Sequence, residues 1–530
     1  MPNHFSHRQE IRKPAVSSKG GIVAAQSRRA AEIGAEVLAA GGDCVDALVA
    51  TGFALGVLEP WMSGIGGGGA MVLYRAKENR VEVIDYGMRT PDSLRIEDYP
   101  LSKDGGVAAD IFPWARVKDD RNLHGPGSIA VPGVVAGMEE ARKRYAKLPW
   151  KDLLAPSVAL AGEGLLVDWW TTVMISSAAA DLRRYSASAA AYLKDGLPPN
   201  PQWGIKSVVR LPQEQLKATL AHLASAGARD FYEGDLARSV SRDIQAAGGA
   251  LSVEDLAAFK AHVREPLKIP YRGGTVFATP ELTAGPTLAH TLRLLQANLQ
   301  SGGTPNAAAY LAYVEALQSA YRERLNGMGD AEGRRALGAE YLAPACTTHY
   351  SVVDRDGNMA AVTQTLLSSF GSKFQTPQSG IMMNNGIMWF DPTPGTTNSL
   401  APGKRCLTNY TPVVAQAADG RRLALGASGG RRILPAVTQL LSFVMDFGMD
   451  LDQAIHQPRI DASEGDIVGA DTRLPAGVQL ALAAKFDVEQ APVQTLPMKF
   501  ACPSIVLRDG ATNSGATEIF HAWGDAVAED

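Results

Sequence analysis

The sequence predicts an α+β protein in which helices dominate the first part of the chain and strands the second. Helical periodicity recurs up to about residue 345, and strand-like patterns become frequent after Thr347. The chain has 530 residues, and 46% of them are hydrophobic, which supplies ample apolar surface for a core. These features fit either two domains or one domain that is built from both parts.

The elements can be assigned in chain order from periodicity and from the residues that end each pattern. Two amphipathic helices are expected between residues 27 and 58, where Gly41-Gly42 ends the first and Asp43 caps the second. Val72 to Arg75 and Val81 to Tyr86 alternate and predict a hairpin. The remaining expected elements are helices at residues 130–145, 150–163, 211–226, 233–248, 285–299, 436–445 and 476–485, and strands near 274–278.

The composition excludes several classes of function. The net charge of −4 argues against a nucleic-acid groove and against polybasic membrane contact. No apolar stretch is long enough for a transmembrane helix, and the first twenty residues lack the apolar segment of a signal peptide, so a cytoplasmic location is expected. These twenty residues, the segment 391–404 and the acidic end of the chain are expected to be disordered.

The four cysteines give no indication of a metal centre. They are far apart in sequence and lack the spacing of metal ligands, so we expect reduced, buried thiols and no bound metal. The four residues are Cys44, Cys346, Cys406 and Cys502.

The segment from Cys346 to Thr365 carries the strongest functional pattern. A short linker, residues 339–346, leads into two threonines, a strand at 349–353, a turn and a second strand at 359–365. A threonine hydroxyl is a poor nucleophile unless a base lies beside it, and an N-terminal threonine can use its own α-amine. Such a role for Thr347 requires cleavage after Cys346, although two threonines at the start of a hairpin are also ordinary strand composition.

Two glycine-rich runs invite opposite interpretations. Residues 64–69 match G-x-G-x-x-G, but a dinucleotide site follows a strand and opens a helix, whereas this run follows a helix and opens a strand. We therefore expect close backbone packing there and no nucleotide cofactor. Gly429-Gly430 can expose backbone N–H groups to an oxyanion, or can simply form a tight turn.

Motifs along nearly the whole chain resemble the γ-glutamyltransferase (γ-glutamyltranspeptidase) family. The segments TTHYSVVD, SGIMMNNGIMWF, PGKRCLTNYTP and GASGGRRI occur in the order that the family has them. The resemblance implies the four-layer αββα sandwich of the N-terminal-nucleophile hydrolases, formed jointly by residues 1–346 and 347–530. It also implies that both segments stay associated after cleavage between Cys346 and Thr347.

The resemblance implies roles for individual residues and no cofactor. Thr347 would be the nucleophile, Thr365 would hydrogen-bond it, and Gly429 and Gly430 would form the oxyanion hole. His349, which follows the two threonines, is better interpreted as a structural residue than as a catalytic base, since the family needs no histidine base.

The substrate pocket departs from the family pattern at the positions that would hold a γ-glutamyl group. Gly87 stands where the family has an arginine, with Arg89 two residues later as a possible partner for a substrate carboxylate. Leu367 replaces an asparagine, Gly386 a glutamine or glutamate, and Trp389 an aspartate. Because a buried ammonium group without a carboxylate partner is costly, these changes disfavour the α-amine of glutamate.

Two further features modify the expected pocket. Thr408 and Asn409 replace paired serines and keep hydrogen-bonding capacity. The segment 391–404 is short compared with the lid loop of better-known members, which suggests an open cleft.

The sequence thus favours a self-processing enzyme that transfers an acyl group from a small-molecule amide to water or an amine. γ-Glutamyl transfer from glutathione-like donors and hydrolysis of another acyl amide are the competing activities. A non-catalytic scaffold is a third possibility, but it would need none of Thr347, Thr365 and Gly429-Gly430. A homo-oligomer is possible.

Overall fold

The fold is described by a computed structural model covering residues 10–108, 112, 114–201, 204, 208–327, 345–396, 398–492 and 494–529. Its α-helices are α1 (Arg28–Ala39), α2 (Cys44–Leu58), α3 (Val134–Tyr145), α4 (Trp150–Glu163), α5 (Trp169–Leu182), α6 (Ser186–Tyr192), α7 (Glu214–Ala226), α8 (Asp230–Glu233), α9 (Asp235–Ala246), α10 (Val253–Ala257), α11 (Gly285–Asn298), α12 (Ala307–Gly327), α13 (Ile433–Met445), α14 (Leu451–His456) and α15 (Ala476–Ala483). Its strands are β1 (Val16–Ser18), β2 (Ile22–Ala25), β3 (Gly68–Arg75), β4 (Arg80–Tyr86), β5 (Leu165–Leu166), β6 (Arg210–Leu211), β7 (His262–Arg264), β8 (Leu267–Tyr271), β9 (Gly274–Ala278), β10 (Ala345–Val353), β11 (Met359–Ser368), β12 (Val413–Gln416), β13 (Arg422–Ser428), β14 (Ile460–Glu464), β15 (Ile467–Asp471), β16 (Asp487–Ala491), β17 (Cys502–Asp509), β18 (Thr512–Thr517) and β19 (Asp525–Ala528).

Most of the elements expected from periodicity are present close to their expected bounds. The hairpin of β3 and β4 pairs in antiparallel register, and Asp43 caps α2 by accepting hydrogen bonds from the N–H groups of Val45 and Asp46. Periodicity did not predict α5, α6, α10, α12 or α14. In α12, apolar residues at Tyr310, Tyr313 and Leu317 recur at helical spacing, so this helix was predictable.

Two large antiparallel sheets form the centre of the molecule. Among the described residues each has seven strands, in the order β1-β18-β17-β13-β12-β9-β8 for sheet I and β19-β2-β10-β11-β3-β4-β7 for sheet II. Each sheet contains strands from before and after residue 347. Neither part of the chain could therefore form either sheet alone.

The two sheets pack face to face between two layers of helices. Small and branched apolar side chains, among them Ile22, Val72, Val414 and Val506, fill the space between the sheets. α1 to α4 cover the outer face of sheet II, and α11 to α13 cover that of sheet I, each with its own buried apolar cluster. This αββα arrangement confirms the expected fold class, and it buries both faces of both sheets.

The described parts of both chain ends and of the segment 391–404 are ordered, which corrects the expectation of disorder for these residues. β1 pairs with β18, and β19 pairs with β2. Lys13 Nζ donates to the carbonyl oxygens of Glu518, His521 and Gly524 at 2.9, 2.8 and 2.7 Å. In the 391–404 segment the N–H of Leu400 donates to the carbonyl oxygen of Asp391 at 2.9 Å. Backbone hydrogen bonds order such segments without the apolar periodicity that composition can detect; residues 1–9 lie outside the described part.

Within the described ranges, no helix combines the length and the apolar character that a membrane span requires.

Candidate active site

Thr347 lies on β10, a central strand of sheet II, at a break in the pairing with β11. The register shifts between Cys346 and Thr348, so that two residues of β11, Thr365 and Leu366, lie opposite Thr347. Such a β-bulge redirects side chains and is common beside active sites. The linker that was expected before the cleavage site lies largely outside the described residues.

The hydroxyl group of Thr365 connects the two residues at the expected cleavage site. It donates to the carbonyl oxygen of Cys346, and it accepts hydrogen bonds from Thr347 Oγ1 at 3.3 Å and from the N–H of Leu367 at 2.8 Å. A donor on a carbonyl oxygen stabilises the negative charge that develops there during nucleophilic attack. The arrangement therefore suits an attack of the Thr347 hydroxyl on the carbonyl carbon of Cys346.

Gly429 and Gly430 form the turn between β13 and the 3₁₀ turn Gly430–Arg432, which continues into α13. Their φ angles are 133° and 61°, a region that residues with a side chain rarely adopt. The first N–H groups of a helical run have no acceptor within the helix. Because Gly430 lines the same cavity as Thr347, this turn can donate to an oxyanion formed beside the nucleophile.

The cavity beside Thr347 is small and mainly apolar. The volume open to the centre of a water molecule is about 10 Å³. Asn409 supplies an amide group, and none of the described lining residues is acidic. The lining residues are Thr347, Leu367, Trp389, Asn409, Tyr410, Gly430 and Ile433.

Of these lining residues, the sequence analysis did not single out Tyr410 and Ile433. Tyr410 directly follows Asn409, and Ile433 follows Gly430 by three residues on the same helical run. Both residues could have been predicted to lie at the site only from their closeness in sequence to an expected site residue.

Aromatic side chains cover the cavity. The Trp389 ring contacts the rings of Phe112 and Tyr410, with centroids 5.5 and 6.2 Å away, and Phe112 stacks on Trp114. Only 3% of Trp389 is exposed. The open cleft that the short segment 391–404 suggested stays a prediction.

Gly386 and Thr408 lie outside the described cavity lining. Gly386 begins a 3₁₀ turn, and a side chain at this position would come within 2.7 Å of Ala130 Cβ. The N–H and the hydroxyl of Thr408 both donate to the carbonyl oxygen of Leu282, at 2.8 and 3.2 Å. Both residues therefore support the backbone around the cavity.

Arg89 is also absent from the described lining. Its guanidinium forms an ion pair with Asp92, and 23% of its side chain is exposed. Gly87, at the position of the family's arginine, donates its N–H to Asp85 Oδ1 at 2.9 Å. Neither residue is among the described residues that line the cavity beside Thr347.

His349 is buried between the sheets as a neutral side chain. Nδ1 and Nε2 hydrogen-bond with Thr363 Oγ1 at 2.8 Å and with Ser351 Oγ at 3.1 Å, and burial lowers the pKa of His349 to about 3. A ring that is held by two hydroxyl groups and cannot readily take up a proton fits a structural role.

Glu59 is a buried carboxyl group close to the nucleophile that the sequence analysis did not identify. Its Oε2 accepts a hydrogen bond from Thr348 Oγ1 at 3.2 Å, and its Oε1 has no hydrogen-bond partner among the residues that the structure describes. Burial raises the pKa of Glu59 to about 8, with the Thr348 hydrogen bond opposing the shift. The side chain is therefore protonated at neutral pH.

The glycines at positions 64–69 lie against the back of β11. A side chain at Gly67 would collide with the carbonyl oxygen of Thr365, and one at Gly69 with that of Thr363. The absence of side chains at these glycines therefore permits close packing behind Thr365. Such packing was expected because residues 64–69 open a strand and not a helix.

Comparison with known proteins identifies the family. The family model for "Gamma-glutamyltranspeptidase" matches residues 30–345 and 339–523, which together span most of the chain. The chain belongs to the gamma-glutamyltranspeptidase family. It is an N-terminal-nucleophile enzyme of the kind that cleaves or transfers acyl amides.

Members of this family with different activities are similar to the chain. The chain is 33% identical over 503 residues to the acylase ACY 1 proenzyme of Pseudomonas sp. (strain V22). This alignment covers 89% of the chain and 88% of the relative. The chain is 30% identical over 489 residues to the glutathione hydrolase proenzyme of Bacillus subtilis (strain 168), covering 83% of this chain and 80% of the relative.

Solved structures agree with the fold. A cephalosporin acylase from Bacillus halodurans superposes with a TM-score of 0.84 over 100% of this chain and 99% of that one, at 24% identity. The gamma-glutamyltranspeptidase of Helicobacter pylori superposes with a TM-score of 0.51 over 62% of this chain and 86% of that one, at 28% identity.

Proposed function

We propose that this gamma-glutamyltranspeptidase-family enzyme cleaves itself before Thr347 and then hydrolyses a small-molecule amide whose acyl group is not γ-glutamyl. The observation that carries the proposal is the cavity beside Thr347. Its described lining consists mainly of apolar surface with the Asn409 amide and the hydroxyl-bearing residues Thr347 and Tyr410, and it contains no carboxylate to pair with the α-ammonium group of a γ-glutamyl donor.

The reaction has two stages in this proposal. In the precursor the Thr347 hydroxyl attacks the carbonyl carbon of Cys346, whose oxygen Thr365 polarises, and the amide bond to the Thr347 nitrogen breaks as an ester forms. Water hydrolyses this ester, which leaves a carboxylate on Cys346 and a free α-amine on Thr347. In the mature enzyme the α-amine of Thr347, with an ordinary pKa of about 7.7–8.0, accepts the hydroxyl proton as the oxygen attacks the substrate. The turn at Gly430 stabilises the tetrahedral oxyanion, which collapses to an acyl-enzyme as the substrate's amine leaves with the proton held by the α-amine of Thr347. Water or an amine then attacks the acyl-enzyme, takes the acyl group and frees the Thr347 hydroxyl.

γ-Glutamyl transfer is the second candidate. The similarity to a glutathione hydrolase proenzyme favours it, because that relative covers most of the chain at 30% identity. The lining at Leu367 and Trp389 opposes it, since both side chains are buried and neither can accept a hydrogen bond from an ammonium group. A cytoplasmic location and assembly into a homo-oligomer stay predictions.

The experiment compares self-cleavage and acyl preference in the same preparation. Wild-type protein should separate under denaturing conditions into segments of 346 and 184 residues, and Thr347→Ala should stay a single chain of 56.1 kDa. Cleaved enzyme should release p-nitroaniline from glutaryl-p-nitroanilide at least about tenfold faster than from the γ-glutamyl compound, because one unpaired charged contact is worth about 1.5–3 kcal/mol.

Two outcomes would contradict the proposal. A wild-type protein that stays whole at neutral pH and releases no p-nitroaniline from any acyl anilide would contradict the proposal that it is a self-cleaving enzyme. Fast turnover of the γ-glutamyl compound, with the glutaryl compound ignored, would assign the chain to γ-glutamyl transfer.

A further inference from the structure

The turn that follows α2 lies behind the break in the pairing of β10 and β11. Oxygen atoms of this turn, residues 59–63, accept hydrogen bonds from the N–H of Leu366 at 3.1 Å and from Gln364 Nε2 at 3.2 Å. Thr365, whose hydroxyl accepts from Thr347 Oγ1, lies between these two residues of β11. The turn therefore holds β11 on both sides of the residue that contacts the nucleophile.

Glu59 extends the same support to β10. Its side chain is fully buried, and its Oε2 accepts a hydrogen bond from Thr348 Oγ1 at 3.2 Å. Thr348 directly follows the nucleophile, and it is the first residue after the bulge that pairs with β11, where it lies opposite Gln364. The turn after α2 thus holds both strands at the point where Thr347 meets Thr365.

The carboxyl group of Glu59 is not explained by packing alone. A buried polar atom without a hydrogen bond is unfavourable, yet Glu59 Oε1 has no partner among the described residues. Because burial raises the pKa of Glu59 to about 8, the side chain is a neutral hydrogen-bond acceptor at neutral pH. Such a group fits a role in holding Thr348.

Cleavage before Thr347 makes the contact with Thr348 more important. In the structure β10 also includes Cys346, which pairs with Leu367 on β11. Once the bond between Cys346 and Thr347 is broken, Thr347 is the first residue of its segment, and chain ends fray unless they are tied down. The adjacent residue Thr348, with its backbone paired to β11 and its hydroxyl on Glu59, is then the nearest anchor.

We propose that Glu59 is a positioning residue that, through Thr348, holds the N-terminal Thr347 of the cleaved enzyme against Thr365. It acts through the strand that carries the nucleophile and not by contact with the substrate. This inference rests on the proposed function, because it concerns the threonine that cleavage exposes. A displaced nucleophile leaves substrate binding intact and slows the attack, so the expected defect is in kcat and not in KM.

The test uses cleaved, full-length enzyme and whichever of glutaryl- and γ-glutamyl-p-nitroanilide the wild type hydrolyses faster. Glu59→Ala should lower kcat by about 10- to 100-fold and change KM by less than about threefold, because a displacement of about 1 Å can cost a factor of about 100. Glu59→Gln keeps a side-chain oxygen that can accept from Thr348, so it should retain at least about a third of the wild-type kcat.

A double-mutant cycle separates this role from a general loss of packing. Thr348→Val removes the hydroxyl and keeps the side-chain size, so it should lower kcat as Glu59→Ala does. The double variant should match either single variant within about threefold, since both remove the same contact. Thr348→Val also carries the test if Glu59→Ala does not fold. The matched control is Ser351→Ala, which removes a buried hydroxyl of the same strand that contacts His349, and it should keep the wild-type kcat.

The failures of the two proposals are distinguishable. A wild-type protein that cleaves neither itself nor either anilide overturns the proposed function. An active wild type whose cleaved Glu59→Ala variant keeps its kcat within about threefold, or loses activity only through KM, overturns the role of Glu59 alone.

Three further outcomes would also overturn the role of Glu59. The first is a pair of losses that multiply in the double variant, and the second is a Glu59→Gln enzyme as slow as Glu59→Ala. The third is a folded Glu59→Ala protein that stays uncut, because Cys346 still ties Thr347 in place before cleavage.

Discussion

At the scale of single residues, Glu59 is a buried carboxyl group whose protonation links stability to pH. Because burial raises its pKa to about 8, the folded protein keeps a proton on Glu59 between pH 4.5 and 8 that the unfolded chain has released. The contribution of Glu59 to the free energy of unfolding should therefore fall as the pH rises through this range, by about 1.4 kcal/mol per pH unit. Glu59→Gln removes the pH-dependent contribution of Glu59, so the Tm of this variant relative to the wild-type Tm should rise between pH 5.5 and 7.5. Glu254→Gln changes an exposed glutamate and should show the same pH dependence of Tm as wild type. Parallel Tm curves for wild type and Glu59→Gln would show that Glu59 titrates normally.

At the scale of elements, the turn from β13 into α13 combines a strand end, two glycines and a helix N-terminus. Gly430 has a φ of 61°, so Gly430→Ala strains the backbone and adds a methyl group at the cavity lined by Thr347. Loss of one oxyanion donor lowers kcat by about 10²–10³, and we expect a decrease of that size. The control is Gly477→Ala at the start of α15, where an added Cβ meets no atom within 4 Å. A folded Gly430→Ala enzyme with the turnover of Gly477→Ala would mean that the oxyanion donors lie elsewhere.

At the scale of the whole molecule, cleavage at Thr347 would separate strands that share both sheets. In sheet II, β10 and β11 pair with β2 and β3, and in sheet I, β12 pairs with β9. We therefore expect the cleaved segments to elute together under native conditions, at the same volume as uncut Thr347→Ala. Dissociation would expose the buried apolar layer between the sheets, which makes separation unfavourable. Segments that elute separately without denaturant would contradict this interlocked assembly.

The sequence by itself was sufficient for features that are encoded within a few residues. Thr347 was a candidate from one strand–turn–strand segment, whereas the roles of Thr365 and of Gly429-Gly430 came from the family resemblance, because the residues alone also allowed an ordinary strand and a tight turn. The αββα fold followed from family motifs along the chain, whereas helical and strand patterns alone left one domain or two open, because they do not specify which strands pair.

Only the tertiary structure decided what surrounds the nucleophile. Phe112 covers Trp389, and Arg324 donates a hydrogen bond to Asn409 Oδ1 from 85 residues away in sequence. Glu59 and Thr348, 289 residues apart, are likewise brought together by packing. These contacts depend on how helices and sheets bury their apolar faces, and the same packing sets the desolvation that shifts the pKa of Glu59. Local sequence patterns carry no information about such distances, so the chemistry of Thr347 could be predicted from the sequence, while its proposed acyl selectivity depends on the assembled fold.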